Sequence, residues 1–197
     1  MPLAPPILTG LLFAQYSAQG YTGPQLLQMS TAIGTGVANY LLASAIYQGV
    51  GVGVGVGAGV GTGFVQGIVG PAVGANIFSM MTAVGFTGPK AIQLAMATGN
   101  AFSIFISMGI VNSASIGLAI GIGTGKIIGV VGPAMAASIL AMFTAVGFVG
   151  PKTPLLAMAL GNGICNSILA LGIVTTVIAG AGFPPTPMSG VDIGKVF

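Results

Sequence analysis

Few groups in this chain are able to do chemistry. The ionised side chains are Lys90, Lys126, Lys152, Lys195 and Asp192, to which Cys165 and four tyrosines can be added; His, Arg, Glu and Trp are absent. General acid–base catalysis needs a group that titrates near neutrality, and a nucleophile needs a base beside it. None of these residues stands in such a constellation, so the sequence offers no catalytic residues and the chain reads as a non-enzyme. Metal sites built from imidazole, thiolate and carboxylate are equally out of reach. G-x-G patterns abound, but none opens a helix with an acidic ribose ligand beyond it, which removes the dinucleotide reading. No cofactor and no small-molecule substrate is expected.

The lysines need other roles. Lys90 and Lys152 each follow a Gly-Pro turn directly, where a snorkelling ammonium marks an interface. Lys126 stands inside an apolar segment where a related segment carries Phe64, and it reads as a residue facing a water-filled lumen or snorkelling to a surface. Four scattered lysines make no electrostatic footprint for nucleic acid. Cys165 reads as a small buried apolar side chain. Gln28, Asn39, Gln93, Asn100, Asn162 and Asn166, set within apolar runs, read as polar groups that bond between helices.

Charged residues make up 3% of the chain, against about a quarter of an ordinary globular domain. A soluble monomer needs a polar shell that this composition does not supply. Its apolar surface must face lipid, other protein, or both.

The elements that would position these groups are punctuated by three similar marks: Gly20-Tyr21-Thr22-Gly23-Pro24, Gly85-Phe86-Thr87-Gly88-Pro89 and Gly147-Phe148-Val149-Gly150-Pro151, at spacings of 65 and 62 residues. Residues 61–86 align without gaps on residues 123–148, which reads as an internal repeat. Prolines 24, 71, 89, 133 and 151 each open an apolar run, the place where a helix tolerates proline. Helices are therefore predicted near 6–18, 24–48, 71–84, 89–110, 133–146 and 151–179. The expected fold is all-α and membrane-type: one domain over 1–180, made of a half repeat at 6–19, repeats at 20–84 and 85–146 and a partial repeat at 147–180. A Pro/Gly-rich tail follows at 181–197. The runs at 89–111 and 151–179 are long enough to span a bilayer, and 24–47 nearly so.

Two segments set the packing. Residues 50–63 read VGVGVGVGAGVGTG and residues 116–125 read IGLAIGIGTG. Strict alternation suits a strand with glycine on one face. It also suits a helix with glycine stripes on two flanks, able to approach neighbours closely in a ring of identical subunits. On that helical reading Gly49, Gly51, Gly53, Gly55, Gly57, Gly59, Gly61, Gly117, Gly121 and Gly123 are the oligomer-packing residues. The alternation resembles the glycine-rich inner helix of rotary ATPase ring subunits, which implies a close-packing device. Those rings carry their ion on a carboxylate, and this chain has none before Asp192, so ion rotation does not carry over.

The expected function is structural: a self-assembling apolar helical protein forming a homo-oligomeric transmembrane ring or pore. The alternative is a virion or phage tail-tip component, its helices buried in an oligomer and later delivered to a membrane. Expected partners are copies of itself and either a lipid bilayer or a larger protein assembly, with the membrane as its location or, on the alternative, the virion.

Overall fold

The computed structural model describes residues 4–54, 58–117, 120–171, 173–181 and 187–196. Two helices, α1 (Pro5–Ala18) and α2 (Pro24–Ser44), are followed by two strands, β1 (Ile46–Val54) and β2 (Ala58–Gln66). The same order recurs in α3 (Gly70–Ala83), α4 (Pro89–Ser107), β3 (Ile110–Gly117) and β4 (Ile120–Ile128), and again in α5 (Gly132–Ala145), α6 (Thr153–Leu171), β5 (Ile173–Ala181) and β6 (Pro187–Val196). The strands pair antiparallel in chain order and close into a barrel through β6 and β1. The fold is therefore mixed, helices plus antiparallel sheet, and the all-α expectation is overturned.

The Gly-Val segment shows why. Helical, its eight glycines from Gly49 to Gly63 would each cost roughly 1 kcal/mol relative to alanine. Extended, the same residues place β-branched side chains on one face and nothing on the other. Residues 49–54 and 58–63 thus lie in β1 and β2, paired Gly49↔Gly63 and Val50↔Thr62. The described glycines among those meant to pack helices of neighbouring subunits lie in strands of one chain.

Helices start where the prolines place them. Gly23 and Gly88, at φ +118° and +95°, turn the chain so that Pro24 and Pro89 enter the first helical turn. The third turn differs: α6 begins at Thr153, two residues beyond Pro151. Pro154 explains the delay, because it would remove an intrahelical N–H from a helix begun at 151, whereas in the first turn of a helix begun at Thr153 that N–H has no intrahelical partner to lose. Helix ends are shorter than predicted, at Ser44, Ser107 and Leu171 instead of 48, 110 and 179. The spans expected at 24–47, 89–111 and 151–179 therefore run into strands. Among the described residues one helical segment, Thr153–Ala170, is long and apolar enough to cross a membrane, and 61% of it is buried within the fold.

The six helices form a ring, each packed on its chain neighbours, with α1 closing against α6. The long helices carry most of the core: α2 and α4 each bury ten residues and α1 buries three. Close approach comes from helical glycines. A Cβ on Gly99 would strike the backbone of Gly74 and Gly70, and one on Gly36 would lie 2.7 Å from Cα of Ile77. Ring and barrel meet at the short connection that follows the first hairpin. The buried Tyr40 hydroxyl donates to Gly67 O at 3.1 Å and accepts from Val69 N at 3.0 Å, and Ser103 donates to Ile68 O at 2.8 Å. The segment expected as a C-terminal tail supplies β6, which pairs with β1 and β5.

Candidate functional site

The barrel separates two kinds of side chain. Tyr47, Gly61, Gly63, Val65, Val111, Ser113, Gly125 and Ile127 are buried, and their neighbours in sequence, Ile46, Gln48, Val50, Val60, Thr62, Phe64, Ile110, Asn112, Ala114, Thr124, Lys126 and Ile128, are exposed. This is the period of two, inside against outside. The inside is full. A Cβ on Gly49 would meet the Tyr47 hydroxyl and Thr62 O, and one on Gly63 would meet Gln48 O and Cα of Gly49. At Gly49 and Gly63 the barrel has no room for a methyl group.

The residues singled out as packing glycines fall as follows. Gly61 is buried within the barrel and Gly49 is partly buried there. Gly51 pairs with Gly61, Gly53 with Gly59, Gly117 with Gly121, and Gly123 with Ser115. Gly55 and Gly57 lie outside the described residues. Lys126, read as a lumen candidate, is on the outer face of β4, and its neighbour Gly125 is the residue that faces in.

On the described side chains of β1 to β4 the outer face is apolar with one polar level. Val50 and Val60 are 63% and 68% exposed, and Ile46, Phe64, Ile110 and Ile128 are also exposed. Among them sit Gln48, Thr62, Asn112, Thr124 and Lys126. Two shallow grooves cross the face at related places. One, of about 300 Å³, is lined by Gln48, Val50, Thr62 and Phe64 over a floor of Gly49 and Gly63. The other, of about 460 Å³, is lined by Asn112, Ala114, Thr124 and Lys126 over Ser113 and Gly125. The pairings Gln48↔Phe64 and Asn112↔Lys126 make the grooves counterparts, with a lysine in the second where the first has a phenyl ring.

At the other end of the helices, Lys90 and Lys152 come together. Both line a cavity of about 340 Å³ with Tyr21, Thr153 and the 147–151 turn. The Lys152 ammonium lies 5.6 Å from the Tyr21 ring centroid, and the Tyr21 hydroxyl donates to Lys152 O at 2.7 Å. Tyr21 also meets the fully buried Tyr16 edge-on at 6.0 Å. Burial, and secondarily the charge of Tyr21, holds the Tyr16 phenol far above its ordinary range. Burial likewise raises Cys165, a thiol in the core with 1% of its surface exposed.

No group of three metal-ligating side chains occurs among the described residues. The polar level of the barrel was missed in the sequence, although Thr62 and Thr124 share a parity with Phe64 and Lys126 that placing the segments as strands would have exposed. Of the interior amides, Asn100 and Asn162 stand against Gly70 and Gly132, where a Cβ would meet their side-chain oxygens. Asn76, not singled out in the sequence, donates across to Gly36 O at 3.1 Å. No protein-family model, curated protein or solved structure matches this chain.

Proposed function

We propose that the protein is a structural, non-catalytic component that enters a lipid bilayer through the outer face of its barrel. One observation carries this reading: a closed barrel turns exposed valine, isoleucine and phenylalanine outward. In water each such side chain forgoes about 1.5–3 kcal/mol of burial. In lipid that free energy is recovered, and closure leaves no sheet edge with unpaired backbone groups in hydrocarbon. The strands, of 8–10 residues, approach the length used by membrane barrels, about 9–11.

A second observation concerns the helix ring. Leu27, Ile92, Ile104, Met158 and Leu169 are exposed on its helices. These suit further protein, either copies of this chain or a larger assembly such as a virion. Self-association then uses helix faces, because Gly61 and Gly63 face into their own barrel. Nucleic acid, cofactor and small-molecule substrate have no part in this reading.

Vesicle flotation tests it. Wild-type protein diluted from detergent should float with the vesicles, and Val50→Asp/Val60→Asp should stay at the bottom with an unchanged circular dichroism spectrum. Equal flotation of the folded double variant would remove the barrel from the interface.

A further inference from the structure

The second outer groove has a chemistry that the first lacks. Asn112, Thr124 and Lys126 bring an amide, a hydroxyl and an ammonium, all hydrogen-bond donors, to one depression of about 460 Å³ floored by Ser113 and Gly125. Asn112 and Lys126 are direct cross-strand partners, and Thr124 lies one outward position further along β4. The only carboxylate side chain belongs to Asp192, in β6, which neighbours β1 and β5 and not β3 or β4. The site is therefore positive and rich in donors, among exposed apolar side chains such as Ile110 and Ile128.

Its height matters as much as its charge. From Lys126 to the start of β4 at Ile120 is six residues, and that stretch of sequence holds only Ile, Gly and Thr. Six residues at about 3.3 Å, tilted by roughly 40°, rise about 15 Å. That is one leaflet, half of the roughly 30 Å hydrocarbon core. A lysine on the lipid face of a barrel is costly at the bilayer midplane and nearly free at the interface. With Lys126 at headgroup level, the chargeless end of the hairpin reaches the midplane and stops.

We propose that the Asn112–Thr124–Lys126 groove binds the phosphate of an anionic lipid headgroup, which holds the barrel in one leaflet at the depth this site sets. The proposal rests on the membrane reading above and adds the ligand and the depth to it. In the counterpart groove Phe64 stands at the place of Lys126, so of these two grooves only the second receives the phosphate.

The test is flotation on two vesicle types, phosphatidylcholine alone and phosphatidylcholine with phosphatidylglycerol. Wild type should bind the anionic vesicles about five-fold more tightly, the worth of one lysine close to an anionic surface. Lys126→Gln should bind both types equally, at the wild-type level for phosphatidylcholine. Lys126→Arg should keep the preference, as should Lys90→Gln/Lys152→Gln. A preference that survives Lys126→Gln, or is lost in the Lys90/Lys152 variant, overturns the site. Soluble glycerol phosphate that binds the detergent-held protein as well as the vesicles do overturns the lipid assignment in favour of a free anion. Wild type that floats with neither vesicle overturns the membrane reading beneath, an outcome distinct from loss of preference with retained flotation. Depth is read from nitroxides at positions 60 and 48 in a Cys165→Ser background. The label at 60 should lie deeper than that at 48, and equal depths overturn the one-leaflet placement.

Discussion

The helix ring and the barrel both depend on glycine, in opposite ways. In the ring, Gly70 and Gly74 sit four residues apart on one helix, and the backbone of α4 comes in against them at Gly99. There glycine removes a side chain so that two backbones can touch. In the barrel, glycines two apart stand on the inward face, and the space they vacate is taken by Tyr47 and by the opposing strand. Spacing fits each role: four suits a helix contact and two suits the inside of a narrow barrel. The outward consequences differ too. The ring hides glycines among the ten buried residues of α2 and of α4, whereas the barrel leaves apolar side chains such as Val50, Val60 and Phe64 exposed.

The largest break of this comparison is Gly63→Val. Its Cβ meets Gln48 O and Cα of Gly49, both backbone, so no side-chain rotation relieves the clash. Destabilisation above about 4 kcal/mol is expected, at the severe end for a point change. Thermal unfolding in detergent should show the strand signal lost and the helical signal retained. Thr62→Val, one residue away and outward, is the control and should leave the midpoint nearly unchanged. A Gly63→Val protein with wild-type strand content would mean that the barrel interior is not filled.

A smaller break addresses the ring. Gly99→Ala places a methyl against Gly74 N and Gly70 O. Helix α3 can shift outward to admit it, so a loss of about 1–3 kcal/mol is expected, seen as a lower midpoint with both helix and strand signals intact. Gly10→Ala, where nothing lies within 4 Å of the added atom, should instead gain up to about 1 kcal/mol from helix propensity, and a gain from Gly99→Ala as well would show that propensity and not packing governs these helices.

How much of this was legible follows from the same contrast. Four of the five turn prolines marked helix starts correctly, because proline at the first turn has a local physical cause. Pro151 failed because Pro154 was not weighed with it. The helix ends were not legible: Ala45 and Ile46 continue an apolar run, and nothing local says that Tyr47 turns into a barrel. The sequence of residues 50–63 leaves strand and helix both open, since both give glycine faces and only the closing partner, β6, decides between them. That partner came from a segment read as a tail. Lys90 and Lys152 were paired by repeat position, and the fold brings both to one cavity. The donor groove around Lys126 was hidden, because it exists only once Asn112 is paired across from it.

The smallest effect is expected where the two regions join. The Tyr40 hydroxyl bonds Gly67 O and Val69 N together, in the connection that leaves β2 and enters α3. Tyr40→Phe keeps the ring, 9% exposed in the wild type, and leaves a part-buried carbonyl and amide without this partner. A loss of about 1–2 kcal/mol follows, reduced where water reaches the vacated groups. Its signature is regional. Hydrogen exchange should quicken at residues 67–69 and at the adjoining ends of β2 and α3, while the α4 amides, at Ala97 and Ala101 for example, keep their protection. If instead the whole helix ring exchanges faster, the hydroxyl supports the ring itself, and barrel and ring form a single cooperative unit joined by more than this connection.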